Sequence, residues 1–411
     1  MKIRSITFFA NPGWPLEMSF IRQIADFVAV ARPAFENAGF EVQTMRLATP
    51  PFPHLLPDCC TETVVEFAQA LEATLLPLGF EYLSIGPALL DAPESYAVIP
   101  EVIAATENVF TSAVMASRDG GVSLPAVRAC AEIIHQLAPQ DENGFANLYF
   151  AALANVPPGA PFFPAAYHNE GTPAFAIATE AADLAVAAFT EANSLMEARR
   201  NLTAALESHA QKLRAVADLL TNRFADALQL RFGGIDYSLA PFPDVKFSLG
   251  TALERLGVPA VGLHGSLAAA AFMTDTVDRA DFPRTGFSGL MLPVLEDATL
   301  AVRAAEGSLT IKDLLLYSAV CGTGLDTVPL PGEATVEQLN AVLADLAALA
   351  LRLDKPLTAR LMPIPGKAAG DPTTFDFAFF ANSRVLALEA QPLQGFLAGD
   401  ESFSISPRKN G

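Results

Sequence analysis

Between Tyr317 and Gly332 the sequence places Cys321, Gly322, Gly324 and Asp326 in one short connection that leaves through Pro329 and Pro331. Cys321 and Asp326 are the groups with chemistry to offer. The glycines permit positive φ and close approach of a ligand, and the prolines fix the exit. The pattern predicts a pocket. A nucleophilic Cys321 needs a base, and His264 in Ala260-Val-Gly-Leu-His-Gly-Ser266 is the candidate in this half of the chain. His264 is expected to end a strand, with Gly265 turning the chain and Ser266 capping a helix whose free N–H groups face an anion. The competing readings are a histidine hydrogen-bonded to a neighbouring loop and a thiol that is only a small buried hydrophobe.

Carboxylates and guanidinium groups supply the other candidates. Glu296 and Asp297 follow the apolar run 289–294 and open a helix, where the helix dipole alone favours them. The functional alternative joins one of them to Asp326 as an acid/base pair or as ligands of a divalent cation. Arg46 and Arg360 sit in apolar β runs, where an unpaired guanidinium is costly, so each must meet an internal carboxylate or an anionic ligand. Asp236 and Ser238 end another apolar run and either face the same opening or close a turn. Ser288 lies in Gly286-Phe-Ser-Gly-Leu290 and joins the substrate-binding candidates, as do Gly322 and Gly324. Tyr167 and His168, followed by Asn169-Glu-Gly171, form a polar island after proline-rich chain and read as a lid. Trp14 is read as packing, with a stacking wall as the alternative.

These residues can meet only if the elements carrying them converge. Apolar β runs alternate with segments of helical periodicity: strand 2–10, helix 17–38, strand 41–48, helix 62–77 behind Thr63-x-x-Glu66, strand 80–86, helix 97–109, strand 111–116, helix 123–138 and strand 146–154. A strand at 174–178 and a long helical tract at about 180–227, broken near Asn201, follow. The second half reads as strand 228–239, helix 248–256, strand 259–263, helix 266–278, strand 289–294, helices 296–306 and 310–319, strand 325–330, helix 335–353, and strands 357–363 and 374–388. About ten mostly continuous apolar strands among helices predict an α/β fold with helices covering the sheet. The expected organisation is one large domain over 1–411: a first half to about 178, the helical tract, a second half from about 228 to 390, and an irregular tail. In such folds ligands collect beyond the carboxyl ends of strands.

Composition agrees with a large core, since 51% of the 411 residues are apolar and 17% charged. A net charge of −19, with only 26 Lys and Arg, argues against nucleic acid. No apolar run reaches the length of a membrane helix, and the first residues read straight into a strand without a cleavage pattern, so a cytoplasmic protein is expected. Four cysteines form neither a disulfide scaffold nor a zinc spacing. The phosphate-loop, dinucleotide, zinc-protease and serine-hydrolase motifs are missing.

Asn11-Pro-Gly-Trp-Pro15, Arg46-Leu-Ala-Thr-Pro-Pro51, Phe162-Phe-Pro-Ala-Ala-Tyr-His168, Asp236-Tyr-Ser-Leu-Ala-Pro241, Gly286-Phe-Ser-Gly-Leu290, Pro293-Val-Leu-Glu-Asp297, Gly324-Leu-Asp-Thr-Val-Pro-Leu-Pro-Gly332 and Pro363-Ile-Pro-Gly-Lys367 together resemble the DUF711 (UPF0210) family, from the N-terminus to about residue 390. The resemblance implies a closed ten-stranded β/α barrel similar to the pyruvate formate-lyase-like fold, in two antiparallel halves of five strands, and a homodimer. It implies no activity. Radical enzymes of that fold carry a C-terminal glycine in an Arg-Val-x-Gly-Tyr type motif, and Arg384-Val-Leu-Ala-Leu388 has none, which excludes a glycyl radical. Phe377-Ala-Phe-Phe-Ala381 also stands where longer members carry a glycine-rich segment. The resulting expectation is an enzyme that uses acid/base or thiol chemistry on a small anionic metabolite; a non-catalytic sensor on a degenerate enzyme fold is the alternative.

Overall fold

The computed structural model describes residues 1–320 and 322–407. The first half runs through β1 (Lys2–Phe9), α1 (Met18–Asn37), β2 (Val42–Ala48), the short α2 (Phe52–Leu55), α3 (Thr61–Leu75), β3 (Tyr82–Ala88), α4 (Ile99–Ala104), β4 (Val109–Ser117), β5 (Gly121–Ser123), α5 (Leu124–Leu137) and β6 (Phe150–Ala154). Next come β7 (Ala174–Glu180), α6 (Ala182–Thr190), α7 (Leu195–Arg223), α8 (Ala225–Leu228), β8 (Arg231–Ala240), α9 (Leu249–Arg255) and α10 (Ser266–Arg279). The chain ends with α11 (Ala298–Glu306), α12 (Ile311–Ser318), β9 (Gly324–Pro331), α13 (Val336–Leu353), β10 (Leu357–Ile364) and β11 (Ser402–Phe403).

Local signals explain most of these boundaries. Helix α1 buries Ile21, Ile24, Phe27, Val28, Ala31 and Phe35, a stripe at helical spacing. Capping boxes start α12 at Thr310 and Asp313, and α13 at Thr335 and Gln338. The long helical tract breaks at residues 191–194 rather than at Asn201, because the Ser194 side chain accepts the Glu197 N–H and starts α7 there. Helix α3 begins at Thr61, ahead of the expected Thr63 cap.

Pairing along the sheet runs β8-β7-β1-β2-β3-β4-β6-β10-β9, with the short β5 attached to β4 and β11 to β5. Strands β1, β2, β3, β4 and β6 run parallel to one another. Antiparallel pairing of β1 with β7 and of β6 with β10 reverses the direction, so β7 to β10 run the other way. The expected division into antiparallel halves is present in these directions, with five strands in one group and four, not five, in the other. Strand pairing does not close the sheet, whose ends are β8 and β9. Residues 284–294 lie between those ends, with isolated parallel bridges from Arg284 to Ile235 and from Pro293 to Asp326.

Three expected strands are therefore absent as ladders. Residues 289–294 touch β9 at a single bridge, and Pro293 has no N–H to donate. Residues 259–263 form turns with Gly262 at φ 102°, and Val258 and Val261 are buried under them. Within 374–388, Arg384 forms one isolated bridge, to Pro372, and Phe375, Phe380, Val385 and Leu386 are buried without a ladder, the Leu386 N–H making a single bond to Pro329 O of β9 at 2.9 Å. Apolar character here reports burial and not β pairing.

Alternation divides the strands between two layers. Met45 and Leu47 of β2 join the main core beneath the helices, while Ala48 joins Phe9, Phe110, Phe163, Ala166 and Ala176 on the inner face. The proline-rich segment 156–168 packs against that inner face. The Ser5 hydroxyl donates to Pro161 O at 3.4 Å, Ser84 donates to Ala166 O at 2.7 Å, and the His168 N–H donates to Thr49 O at 2.9 Å. Phe162, Phe163, Ala165 and Ala166 are buried as a result. Of the expected lid at 167–171, His168 is buried at the end of this inward plug, with Nε2 2.9 Å from Gly171 O, while Asn169, Glu170 and Gly171 are exposed.

Gly324, expected to meet a ligand, opens β9 at φ 101°, and a Cβ there would collide with the Thr358 carbonyl oxygen of β10. Gly324→Ala is expected to destabilise the fold by about 3 kcal/mol, measured as a lower urea midpoint at unchanged slope. An unchanged midpoint would contradict the close β9–β10 approach.

Candidate functional site

A cavity of about 320 Å³ opens on the inner face of the sheet. Arg4, Thr44, Arg46, Tyr82 and Phe110 reach it from β1 to β4, and Ala178, Asp236, Ser238 and Arg360 from β7, β8 and β10. Because the two halves are antiparallel, the amino ends of β3 and β4 stand at the same opening as the carboxyl ends of β7 and β8.

Arg46 is the unbalanced group of the cavity. Its Nε donates to Thr44 Oγ1 at 2.9 Å, and its guanidinium carbon stands 5.1 Å from the Phe163 ring centre and 5.5 Å from that of Tyr82. Ring faces stabilise a cation without neutralising it. No carboxylate among the described residues forms an ion pair with Arg46. Burial, reinforced by the like charge of Arg4, pulls its pKa down to about 9. A bound anion would offset both effects.

Beside it runs a chain of ion pairs. Glu296, buried just after the 284–294 segment, accepts from Arg4 and, at 2.8 Å, from Nη2 of Arg360. The Arg360 Nε donates to Asp326 Oδ1 at 2.6 Å, and the Arg360 guanidinium lies 5.6 Å from the Phe162 ring centre. Phe162 and Phe163, adjacent in the plug, thus each back one arginine. Asp326 Oδ2 is buried with no hydrogen-bond partner among the described residues. Burial holds the Asp326 carboxyl above the usual range, with Arg360 opposing and Glu296 adding to the shift.

Irregular backbone aims these side chains. Ala359 pairs with Leu325 and Leu361 with Val328, so Asp326 and Thr327 together oppose Arg360 in a bulge, with Thr327 at φ 42°. A second irregularity sets Tyr237, Ser238 and Leu239 against Thr179 alone, with Leu239 at φ 49°. Positive φ at β-branched or bulky residues stores strain, and both positions flank the cavity. Asp236 accepts the N–H groups of Phe287 and Ser288, each at 3.0 Å, and the Ser238 hydroxyl. Burial raises its pKa while those bonds oppose the rise. A Cβ on Gly286 would collide with the Asp236 carboxylate, so glycine is required there.

The structure brings Arg46, Arg360, Asp236, Ser238 and Glu296 to the cavity, with Asp326 behind Arg360 and Ser288 behind Asp236. Other candidates lie elsewhere. His264 is exposed in the turn before α10, away from the cavity lining, and Ser266 is spent locally on Leu263 O and the Gly262 N–H. Asp297 caps α11 and also accepts from Ser248 Oγ, Leu249 N and Gly250 N, which ties α11 to α9. Gly322 packs against the Leu290 carbonyl oxygen. Cys321 lies outside the described residues. Trp14 packs edge-on against Phe67. No group of three His, Cys, Asp or Glu side chains that could hold a metal ion occurs among the described residues. Glu296 and Asp326 instead turn to Arg360.

Arg4, Tyr82 and Phe162 with Phe163 line the cavity and were not singled out as candidates from the sequence. Arg4 carries the same signal as Arg46, a guanidinium within an apolar β run. Tyr82 opens its strand, where the carboxyl-end rule does not look.

Comparison with known proteins adds the following. The family model described as "Uncharacterised ACR (DUF711)" matches residues 1–382. A UPF0210 protein of Pyrobaculum islandicum is 34% identical over 355 residues, covering 83% of this chain and 78% of its own length. The UPF0210 protein of Methanopyrus kandleri is 32% identical, covering 84% of this chain and 80% of its own. That of Acetivibrio thermocellus is 29% identical, covering 86% and 81% respectively.

Since the charged form of Arg46 is disfavoured in the fold, its cost is present at every pH below about 9 and fades as pH rises through that value. Ligand-free Arg46→Met is therefore expected to be more stable at pH 7, by about 1 kcal/mol after allowing for screening by cavity water. Thermal or urea unfolding measures this, and a less stable variant would mean that the protein itself satisfies Arg46.

Proposed function

The chain belongs to the DUF711 family, and we propose that its cavity binds a small organic anion at Arg46 and moves a proton on that ligand with Glu296. The observation that carries this reading is a half-buried guanidinium that pairs with no described carboxylate, at the wall of a cavity large enough for a ligand. Arg4 and Arg360 fix the Glu296 carboxylate so that it faces the cavity without searching for its position. Glu296 takes a proton from the bound anion and returns it to the same molecule, so no other reactant is consumed. Asp326, bonded to Arg360 from behind, keeps that guanidinium in place and paired when Glu296 is neutralised. Residues 284–294 then serve as a tenth, irregular stave between β8 and β9. They complete a barrel around the plug and keep bulk water from the ion pairs.

Native mass spectrometry on the purified protein tests the reading. Wild type is expected to retain a small anion, Arg46→Gln to lose it while keeping its circular dichroism spectrum, and Glu296→Gln to hold it unconverted. A wild-type protein free of any anion, or an Arg46→Gln variant that retains one, would refute it.

A further inference from the structure

We infer that the anion is an aromatic monocarboxylate, which rests on the reading of Arg46 as an anion seat and goes beyond it in naming the ligand's class. Charge comes first. Arg4 and Arg360 share Glu296, and Arg360 has Asp326 as well. Glu81 is engaged by Arg32 and by the Met45 N–H. Asp236 is engaged by two backbone N–H groups and Ser238. Arg46 makes no ion pair with any described residue, while the four guanidinium groups here are already matched in number by Glu81, Asp236, Glu296 and Asp326, so the seat takes at most one further negative charge. A phosphate dianion brings a second charge among Glu81, Asp236 and Glu296 with nothing to meet it.

Size and wall chemistry narrow the class further. A two- or three-carbon acid leaves most of the 320 Å³ unfilled. Six aromatic side chains line this space: Tyr82, Phe110, Phe162, Phe163, Phe377 and Phe379. Phe162 and Phe163 already face guanidinium groups. Phe377 and Phe379 are half-buried and come from a loop that belongs to no strand or helix. That loop is nevertheless fixed at its base. Asn382 Oδ1 accepts the Phe375 N–H at 2.7 Å, its Nδ2 donates to Phe375 O at 3.0 Å, and the Ala381 N–H donates to Leu295 O at 2.6 Å. Phe379 meets Phe242 edge-on at 5.8 Å between ring centres. A pinned aromatic rim over a charged seat selects a flat ring with one carboxylate, through offset and edge-to-face contacts that an aliphatic chain cannot make.

Isothermal titration calorimetry on the full chain, with phenylacetate, cyclohexylacetate, acetate and inorganic phosphate as probes, tests this. Phenylacetate is expected to bind at least about ten-fold tighter than each of the others. Phe379→Ala is expected to weaken phenylacetate about ten-fold and leave acetate unchanged, whereas Arg46→Gln, folded by circular dichroism, loses both. Equal or tighter binding of cyclohexylacetate, acetate or phosphate would overturn the aromatic class and leave the anion seat standing. Binding that survives Arg46→Gln, or no binding of any probe, would bring down the seat and the class together.

Discussion

A run of alternating charges, from Arg4 through Glu296 and Arg360 to Asp326, crosses the inner face of the sheet and joins β1 to β10 and β9. Each member is buried or nearly so, and a buried ion is tolerated only while its partners stay in place. Removing one partner from such a pair typically costs about 3–5 kcal/mol, because the remaining charge is left without water or counter-ion. The chain therefore fixes geometry more than it adds stability. It holds the 284–294 segment against β10, sets the position of the Glu296 carboxylate, and leaves Arg46 as the group outside the balance.

Strand direction gives that network its setting. In a wholly parallel sheet, all carboxyl ends share one rim, and the amino ends contribute nothing to a ligand site. Here the reversal at β1–β7 and at β6–β10 places both kinds of end around one opening. Charged side chains come from the middle and ends of strands, and the bulges at Asp326 and near Leu239 turn them into the cavity. The plug supplies what strands cannot, two adjacent rings that lie against two guanidinium groups.

Where the sequence was legible, a short-range physical signal stood behind it. Helix boundaries followed capping residues and apolar spacing, and Arg46 and Arg360 stood out because a guanidinium in an apolar β run demands a partner. Asp236, Ser238 and Glu296 were visible as polar residues closing apolar runs. Three apolar runs, 259–263, 289–294 and 374–388, read as strands and are not, since burial and ladder pairing leave the same composition. His264 and Ser266 answered to a strand that does not exist. Asp297 looked like half of an acid pair, but its oxygens are taken up by backbone N–H groups of two helices. Phe162 and Phe163 gave no warning, because a segment crossing the inside of a sheet carries no periodicity of its own.

The order of pairing has a bearing on how the chain is made. Strand β6 finds one neighbour, β4, within the first half, whereas its other neighbour, β10, is Leu357–Ile364. During synthesis at about 5–20 residues per second, that edge waits on the order of ten seconds or more for its mate to leave the ribosome. An unmatched, wholly buried-type strand is sticky toward other nascent chains. Production of this protein is thus sensitive to translation speed and to holdase chaperones acting on the half-made molecule.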